Sequence, residues 1–131
     1  MANIYDIIEE NREAIRERAV ELYRNVLECN GRINYGLYIW SDGELEALER
    51  VDHNSWLQAP DHSDRKLYNI LTVEEPFFNP ADCFESKPES DEQAEEWAKM
   101  IIDEMVTEYS DNFDNTLDEA IAEMKEAEKL W

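Results

Sequence analysis

The sequence predicts an α+β domain with the element order α-β-β-β-α-α, in which a long N-terminal helix and two C-terminal helices pack against a three-stranded antiparallel sheet. Three observations favour this fold. Apolar residues recur every three or four positions in residues 3–29, and apolar and polar residues alternate in residues 33–51. Two capping-box sequences precede apolar helical stripes in residues 90–131. The length of 131 residues fits one domain that spans residues 1–131.

Residues 3–29 are predicted to form one amphipathic helix. Asn3 suits the cap position at its start, because an Asn side chain accepts a backbone N–H of the first turn. Asn30-Gly31 marks its end, since glycine tolerates the left-handed conformation that closes a helix. The apolar stripe consists of Ile4, Ile8, Ile15, Ala19, Leu22 and Val26.

Residues 33–51 are predicted to form a β-hairpin around the turn Ser41-Asp42-Gly43, with Gly43 in the left-handed position. The alternation of apolar residues sets the register. We expect Ile39 to lie opposite Leu45, and Leu37 to lie opposite Ala47. The second face of the hairpin, with Tyr38, Trp40, Glu44, Glu46 and Leu48, is partly apolar and is expected to be at least partly covered.

The middle of the chain contains a loop and the third predicted strand. Residues 52–66 are typical of a loop around a short Trp56-Leu57 anchor. Residues 67–73 are rich in aromatic and β-branched types and predict a strand. Residues 74–89 contain three of the four prolines together with Phe77, Phe78 and Phe84, which indicates a packed crossing segment.

The C-terminal third is predicted to form two helices. The sequence Ser90-Asp91-Glu92-Gln93 is a capping box in which Gln93 is expected to reach the Ser90 amide, and its helix extends to about Tyr109. The sequence Thr116-Leu117-Asp118-Glu119 is a second capping box, which begins a helix that ends near Trp131. The intervening Asp111–Asn115 segment lacks the glycine and the residue pattern of a calcium loop, so it is interpreted as a turn between helices.

Acidic residues dominate the charge of the chain. It carries 33 Asp and Glu against 12 Lys and Arg, a formal net charge of −21. Over half of this excess lies in residues 91–131, which hold fourteen acidic and three basic residues. Proteins that bind nucleic acid or anionic membranes directly need basic patches. We therefore expect neither nucleic acid nor a membrane to be a direct partner.

No motif in the sequence predicts catalysis, a metal or a cofactor: it has no nucleophile elbow, phosphate-binding loop, dinucleotide fingerprint or zinc-protease signature. We therefore expect a protein that is not an enzyme. The alternative from another class is a small metal-dependent enzyme or ligand-binding protein that uses the Asp52–Asp64 loop, where His53 and His62 each follow an aspartate. Cys29 and Cys83 fit reduced thiols, and no signal peptide or apolar span is evident, so a cytoplasmic location is expected.

The acidic faces of the two C-terminal helices are the candidate interaction site. Carboxylates one turn apart destabilise a helix by roughly 0.2–0.5 kcal/mol per pair, so a chain that retains them gains solubility or binds a cationic partner. Solubility of a small domain needs a net charge of only about 2–8, well below the magnitude of 21 found here. The predicted partner-binding residues are Glu92, Glu95, Glu96, Asp103, Glu119, Glu123 and Glu126, with Trp40 and Trp131 as apolar anchors.

Small size, one domain and the acidic run from Asp91 to Glu128 resemble the acidic DNA-mimic inhibitors of mobile elements, which include anti-restriction and anti-CRISPR proteins. The resemblance implies a non-catalytic inhibitor of a basic protein, such as a CRISPR effector nuclease, a restriction enzyme or a toxin. Acidic immunity proteins against nuclease toxins are equally similar. Arg12, Arg16, Arg18 and Arg24 depart from a uniformly negative surface. A solubilising acidic surface and a homo-oligomeric structural component are the remaining alternatives.

Overall fold

The computed structural model describes residues 3–51, 55–56, 67–75 and 78–129. Its helices are α1 (Ile4–Glu10), α2 (Arg12–Glu28), α3 (Asp91–Asp111) and α4 (Phe113–Lys129). Its strands are β1 (Ile33–Trp40), β2 (Leu45–Val51), β3 (Ser55–Trp56) and β4 (Leu67–Val73), and a short 3-10 helix covers Pro80–Cys83. The predicted α+β class and its order are confirmed, with a two-residue strand added at the edge of the sheet.

The predicted N-terminal helix is divided into α1 and α2 at Asn11. Asn3 caps α1 as expected, because its Oδ1 accepts the Asp6 N–H at 3.0 Å. At Asn11 the backbone departs from helical geometry, with φ −107° and ψ 13°, while the Asn11 Nδ2 donates to the Ile7 carbonyl at 2.8 Å. Asparagine side chains compete in this way with helical backbone bonds. The apolar period continues across the break, so it gave no sign of the division.

The end of α2 uses two residues in the left-handed conformation. Asn30 has φ 56° and Gly31 has φ 73°, and the Gly31 N–H donates to the Val26 carbonyl at 3.0 Å. This bond closes the six-residue turn of a Schellman motif, in which the residue after the cap is left-handed. The predicted stop at Asn30-Gly31 is confirmed, and Asn30 itself takes the strained position beside the glycine.

The sheet is antiparallel with the strand order β3-β2-β1-β4. The predicted hairpin register is confirmed, because Ile39 pairs with Leu45 and Leu37 pairs with Ala47. Gly43 has φ 96°, as its predicted turn position requires. The third long strand, β4, pairs with β1 and not with β2, so β1 lies in the interior of the sheet.

The sheet is covered at part of its second face, and it contains a bulge. Trp40 and Leu48, on the second face of the hairpin, are 2% and 8% exposed, so that face is also covered at these positions. The pairing of β1 with β4 shifts register between Leu37 and Tyr38, which leaves an additional residue on β4. This bulge allows the neighbours Ile70 and Leu71 both to be buried, contrary to the strict alternation of a regular strand.

The main core lies between the sheet and the helices. α2 contacts β1, β4 and α3, whereas α4 contacts β4. The core cluster includes Ile8, Ile15, Leu27, Leu37, Ile39, Val106, Phe113 and Leu117. None of the helices in the described part of the chain is long and apolar enough to span a membrane.

Candidate functional site

The first two turns of α3 position three of the predicted partner-binding residues. Ser90 caps the helix, since its Oγ accepts the Gln93 N–H at 3.1 Å. Gln93 Oε1 accepts the Glu89 N–H at 2.6 Å, so this side chain reaches one residue further back than the predicted Ser90 amide. The cap fixes the start of α3 at Asp91, so the acidic residues that follow have defined positions on the helix.

Glu92, Glu95 and Glu96 are exposed and lie around one shallow depression of about 490 Å³, which Lys99 also lines. Among the described residues, none of these three glutamates forms an ion pair. Acids in the first turn of a helix are stabilised by its dipole, by about 0.3–1 kcal/mol each. Part of this acidity therefore stabilises α3 itself.

Asp103 is in a different environment from these glutamates. Its Oδ1 accepts from Arg24 Nη1 at 2.7 Å, and the two side chains are 49% and 39% exposed. This ion pair connects α2 to α3. Asp103 is therefore a structural contact first, and its charge is already balanced within the chain.

The acids of α4 lie on a helix that begins earlier than the sequence predicted. α4 starts at Phe113, so the prediction that this helix begins at a Thr116 capping box is wrong. Thr116 lies inside the helix, and its hydroxyl donates to the Asn112 carbonyl at 3.4 Å. The reason is tertiary, because Phe113 is fully buried and draws the first turn of α4 into the core.

Glu119, Glu123 and Glu126 are exposed on α4 and form no ion pair with other described residues. α4 is separated from α3 by Asn112 alone, but its principal support is β4, whereas α3 is supported by α2. The predicted acidic site therefore consists of one set on α3 and one set on α4, carried on different parts of the core.

All four arginines of α2 are engaged by carboxylates of the same chain. Arg12 contacts Asp114 and Asp118 of α4 at 3.0 and 2.7 Å. Arg24 holds Asp103 of α3, and the two remaining pairs, Arg16 with Glu13 and Arg18 with Glu21, lie within α2. The departure from a uniformly negative surface is thus explained, because these arginines serve as internal counter-charges.

The two predicted tryptophan anchors have different outcomes. Trp40 is 2% exposed, so its ring is packed inside the protein and is not a surface anchor. The alternating pattern placed Trp40 on the second face of the hairpin, and the covering of that face removes it from the surface. Trp131 lies outside the described residues, so its role stays a prediction.

A second acidic set, which the sequence prediction omitted, lies at the other end of α3. Glu104, Glu108 and Asp111 are exposed, and they line an open groove of about 880 Å³. The last turn of α3 contains no basic residue. Glu108 and Asp111 lie in this last turn, where carboxylates oppose the dipole at a cost of about 0.3–1 kcal/mol each. In the sequence, Glu104 and Glu108 lie near the C-terminal end of the predicted helix, which is the signal that could have distinguished them from Glu92, Glu95 and Glu96.

Among the described residues, no group of three or more His, Cys, Asp and Glu side chains is arranged to hold a metal ion. Cys29 and Cys83 are free thiols. The alternative site at Asp52–Asp64, with His53 and His62, lies outside the described residues apart from Ser55 and Trp56. It stays a prediction.

An aromatic stack joins α3 to α2. The rings of Tyr23 and Tyr109 are stacked with centroids 4.2 Å apart, and the Tyr23 hydroxyl donates to Glu75 Oε2 at 3.4 Å. Burial and the nearby Glu75 carboxylate raise the pKa of Tyr23 to about 12. Burial, with a smaller contribution from Tyr23, also raises the pKa of Tyr109.

Stability should therefore fall at alkaline pH. A tyrosine with a raised pKa in the folded state adds stability below its unfolded pKa of about 10, and this is lost as pH rises through the folded value. We expect the urea midpoint to fall between about pH 10 and about 12, and to fall less in Tyr23→Phe. An identical loss in the parent and in Tyr23→Phe would show that the stack does not control this transition.

Comparisons with protein-family models, with curated proteins and with solved structures give no match to this chain.

Proposed function

We propose that this chain is a non-catalytic inhibitor that binds the basic nucleic-acid-binding surface of a partner protein through the acidic faces of α3 and α4. The observation that carries the proposal is the set of exposed carboxylates with no counter-ion among the described residues. On the two helices these include Glu92, Glu95, Glu96, Glu119, Glu123 and Glu126.

The distribution of ion pairs supports this proposal more strongly than the net charge does. Asp103, Asp114 and Asp118 are paired with arginines of α2, so they hold the helices in place. The exposed glutamates are not needed for such pairs. A surface that serves solubility alone needs a charge of only about 2–8 in magnitude. The remaining acidity is consistent with recognition of a cationic surface.

Helix geometry makes such a surface chemically similar to a nucleic acid backbone. Side chains one helical turn apart are about 5–6 Å apart, and phosphates repeat about every 3.4 Å along one strand of a duplex. A rigid anionic face is steered towards a Lys- and Arg-lined cleft, with fast association that weakens as salt rises. Occupation of that cleft would exclude the nucleic acid, and no catalytic group is required. The proposal implies a cytoplasmic location, where such partners act.

The experiment is capture of a partner from a host lysate on the immobilised chain at about 50 mM salt, followed by elution with a salt gradient. The test variant replaces Glu92, Glu96, Glu119 and Glu123 with lysine. The control variant replaces Glu10, Glu17, Glu28 and Glu74 with lysine, which changes the net charge equally at exposed positions outside α3 and α4.

We expect the parent and the control variant to capture a basic nucleic-acid-binding protein, and the test variant to lose at least about tenfold of the binding. Circular dichroism spectra should be the same for all three proteins. The captured protein should no longer bind its nucleic acid in the complex. Equal capture by the test variant at about 50–150 mM salt would show that the acidic faces are not the binding site.

A further inference from the structure

The groove on α3 is lined by apolar side chains in its N-terminal part. It runs along the exposed side of the helix from Trp97 to Asn112, beside the segment that follows the 3-10 helix. Trp97 packs edge to face against Phe84, with ring centroids 5.4 Å apart and an interplanar angle of 85°. This contact holds the Trp97 ring in place at the apolar end of the groove.

Met100 is the most exposed of these apolar side chains. It is 62% exposed, and it is the one large apolar side chain in the described part of the chain that is mostly exposed. Methionine is flexible and polarizable, and it is common on surfaces that accommodate partner side chains. Trp97 and Ile101 beside it are half-buried, so their exposed parts continue the apolar surface.

The part of the groove that lies further along α3 is acidic. Glu104, Glu108 and Asp111 follow one another along α3 at spacings of four and three residues, and Glu85 adds a further carboxylate. Among the described residues these four acids form no ion pair. Glu108 and Asp111 also lie in the last turn of α3, where the helix dipole disfavours negative charge. A bound cation would offset both the repulsion and the unfavourable dipole.

We propose that this groove binds a basic amphipathic helix of the partner protein. Its Lys and Arg side chains face Glu104, Glu108 and Asp111, and an apolar side chain packs on Trp97 and Met100. From Trp97 to Asp111 the groove follows α3 over about 21 Å, at 1.5 Å per residue. That length matches about four turns of a partner helix, and helices that lie in grooves use apolar anchors at spacings of three and four residues.

This inference depends on the proposed function only for the statement that the helix belongs to the inhibited partner. It supplies the apolar contact that a charged surface needs, because charge mainly gives rate and orientation of binding. The buried Trp40 does not provide this contact. The groove also carries acids other than Glu92, Glu95, Glu96, Glu119, Glu123 and Glu126, so the two sites respond to different variants.

The probe is a labelled synthetic helix of about 15 residues made of leucine and lysine, with leucine on one face. Binding is measured by fluorescence anisotropy at about 100 mM salt. A peptide with glutamate in place of lysine keeps the apolar face and reverses the charge. The groove variant replaces Glu104, Glu108 and Asp111 with lysine, and the matched control replaces Glu10, Glu17 and Glu28, which are exposed positions outside α3 and α4, with lysine.

We expect the groove variant to weaken peptide binding at least about tenfold and the matched control to weaken it less than about threefold. Met100→Glu should also weaken binding. The circular dichroism spectrum of the groove variant should match that of the parent, since lysine in the last turn of a helix is favourable, and this measurement separates loss of binding from unfolding. Equal weakening by both triple variants, or binding of the glutamate peptide as tightly as the lysine peptide, would overturn the assignment.

Two further outcomes separate this inference from the proposed function. If the groove variant loses the peptide while the parent captures no nucleic-acid-binding protein, the groove is supported and the proposed function fails. If the groove variant captures that protein as tightly as the parent, the groove assignment fails and the proposed function stands. A concentration-dependent dimer that the groove variant abolishes would identify a second copy of this chain as the occupant and would overturn the proposal.

Discussion

Replacing Phe113 with alanine should produce the largest loss of stability among the substitutions considered. Phe113 is fully buried at the first position of α4, and its ring lies 5.8 Å from that of Tyr109. A buried Phe→Ala substitution costs about 3–5 kcal/mol, because it removes apolar contacts and leaves a cavity. Domains of this kind have a free energy of unfolding of only about 5–15 kcal/mol. The loss is therefore a large fraction of the total.

The measurement is urea unfolding followed by circular dichroism, with Met100→Ala as the control. The control side chain is 62% exposed, so we expect it to change the free energy of unfolding by less than about 0.5 kcal/mol. The Phe113→Ala midpoint should fall while the dependence on urea stays the same. A midpoint as high as that of the control would contradict the placement of Phe113 in the core.

Replacing Arg12 with methionine should give the second-largest loss of stability, because Arg12 connects α2 to α4 through its ion pairs. The Arg12 guanidinium contacts Glu9, Asp114 and Asp118, and these hydrogen bonds raise its pKa further above the usual range. Methionine keeps much of the apolar stem and leaves three carboxylates without their cation. Because the carboxylates are more than half exposed, we expect a modest loss of about 1–2 kcal/mol at low salt.

Salt and a matched variant identify the origin of this loss. The difference between the parent and Arg12→Met should shrink as salt rises to about 1 M, since screening weakens the lost attractions. Arg18→Met is the control, because the ion pair that Arg18 forms among the described residues is with Glu21 of its own helix, at 3.4 Å. A double-mutant cycle with Asp118→Asn measures the coupling to α4 directly. If Arg12→Met costs no more than Arg18→Met, Arg12 does not hold α4.

The hairpin shows how much local patterning can predict. Its register was set by the side-chain period of two, because a slip of one residue would expose the whole apolar face. The pairing of Leu37 with Ala47 followed from that rule alone. The pairing of β4 with β1 did not, since both edges of a two-stranded hairpin offer the same backbone groups to a third strand. The choice between the two edges is made by the tertiary structure, in which α2 and α4 pack against β4.

Errors at the helix ends have local and tertiary causes. The break at Asn11 leaves the apolar stripe in phase, so periodicity alone predicts one helix where there are two. At α4 the Thr116 capping box competes with burial of Phe113, and burial of a large aromatic side chain stabilises more than a cap does. The Ser90 cap meets no such competition, and the predicted start of α3 is confirmed.

The sequence by itself determined the types and order of the main elements, the hairpin register and the excess of acid in the last third, because each depends on neighbours within a few positions. Only the tertiary structure decided which acids are balanced. Arg12 and Asp118 are 106 positions apart and meet at 2.7 Å, and nothing in a local pattern specifies such a pair. The same holds for the burial of Trp40 and for the apolar groove beside Glu104, Glu108 and Asp111. The charge of a residue can be read from its sequence, whereas the partner that balances it depends on the packing of the whole fold.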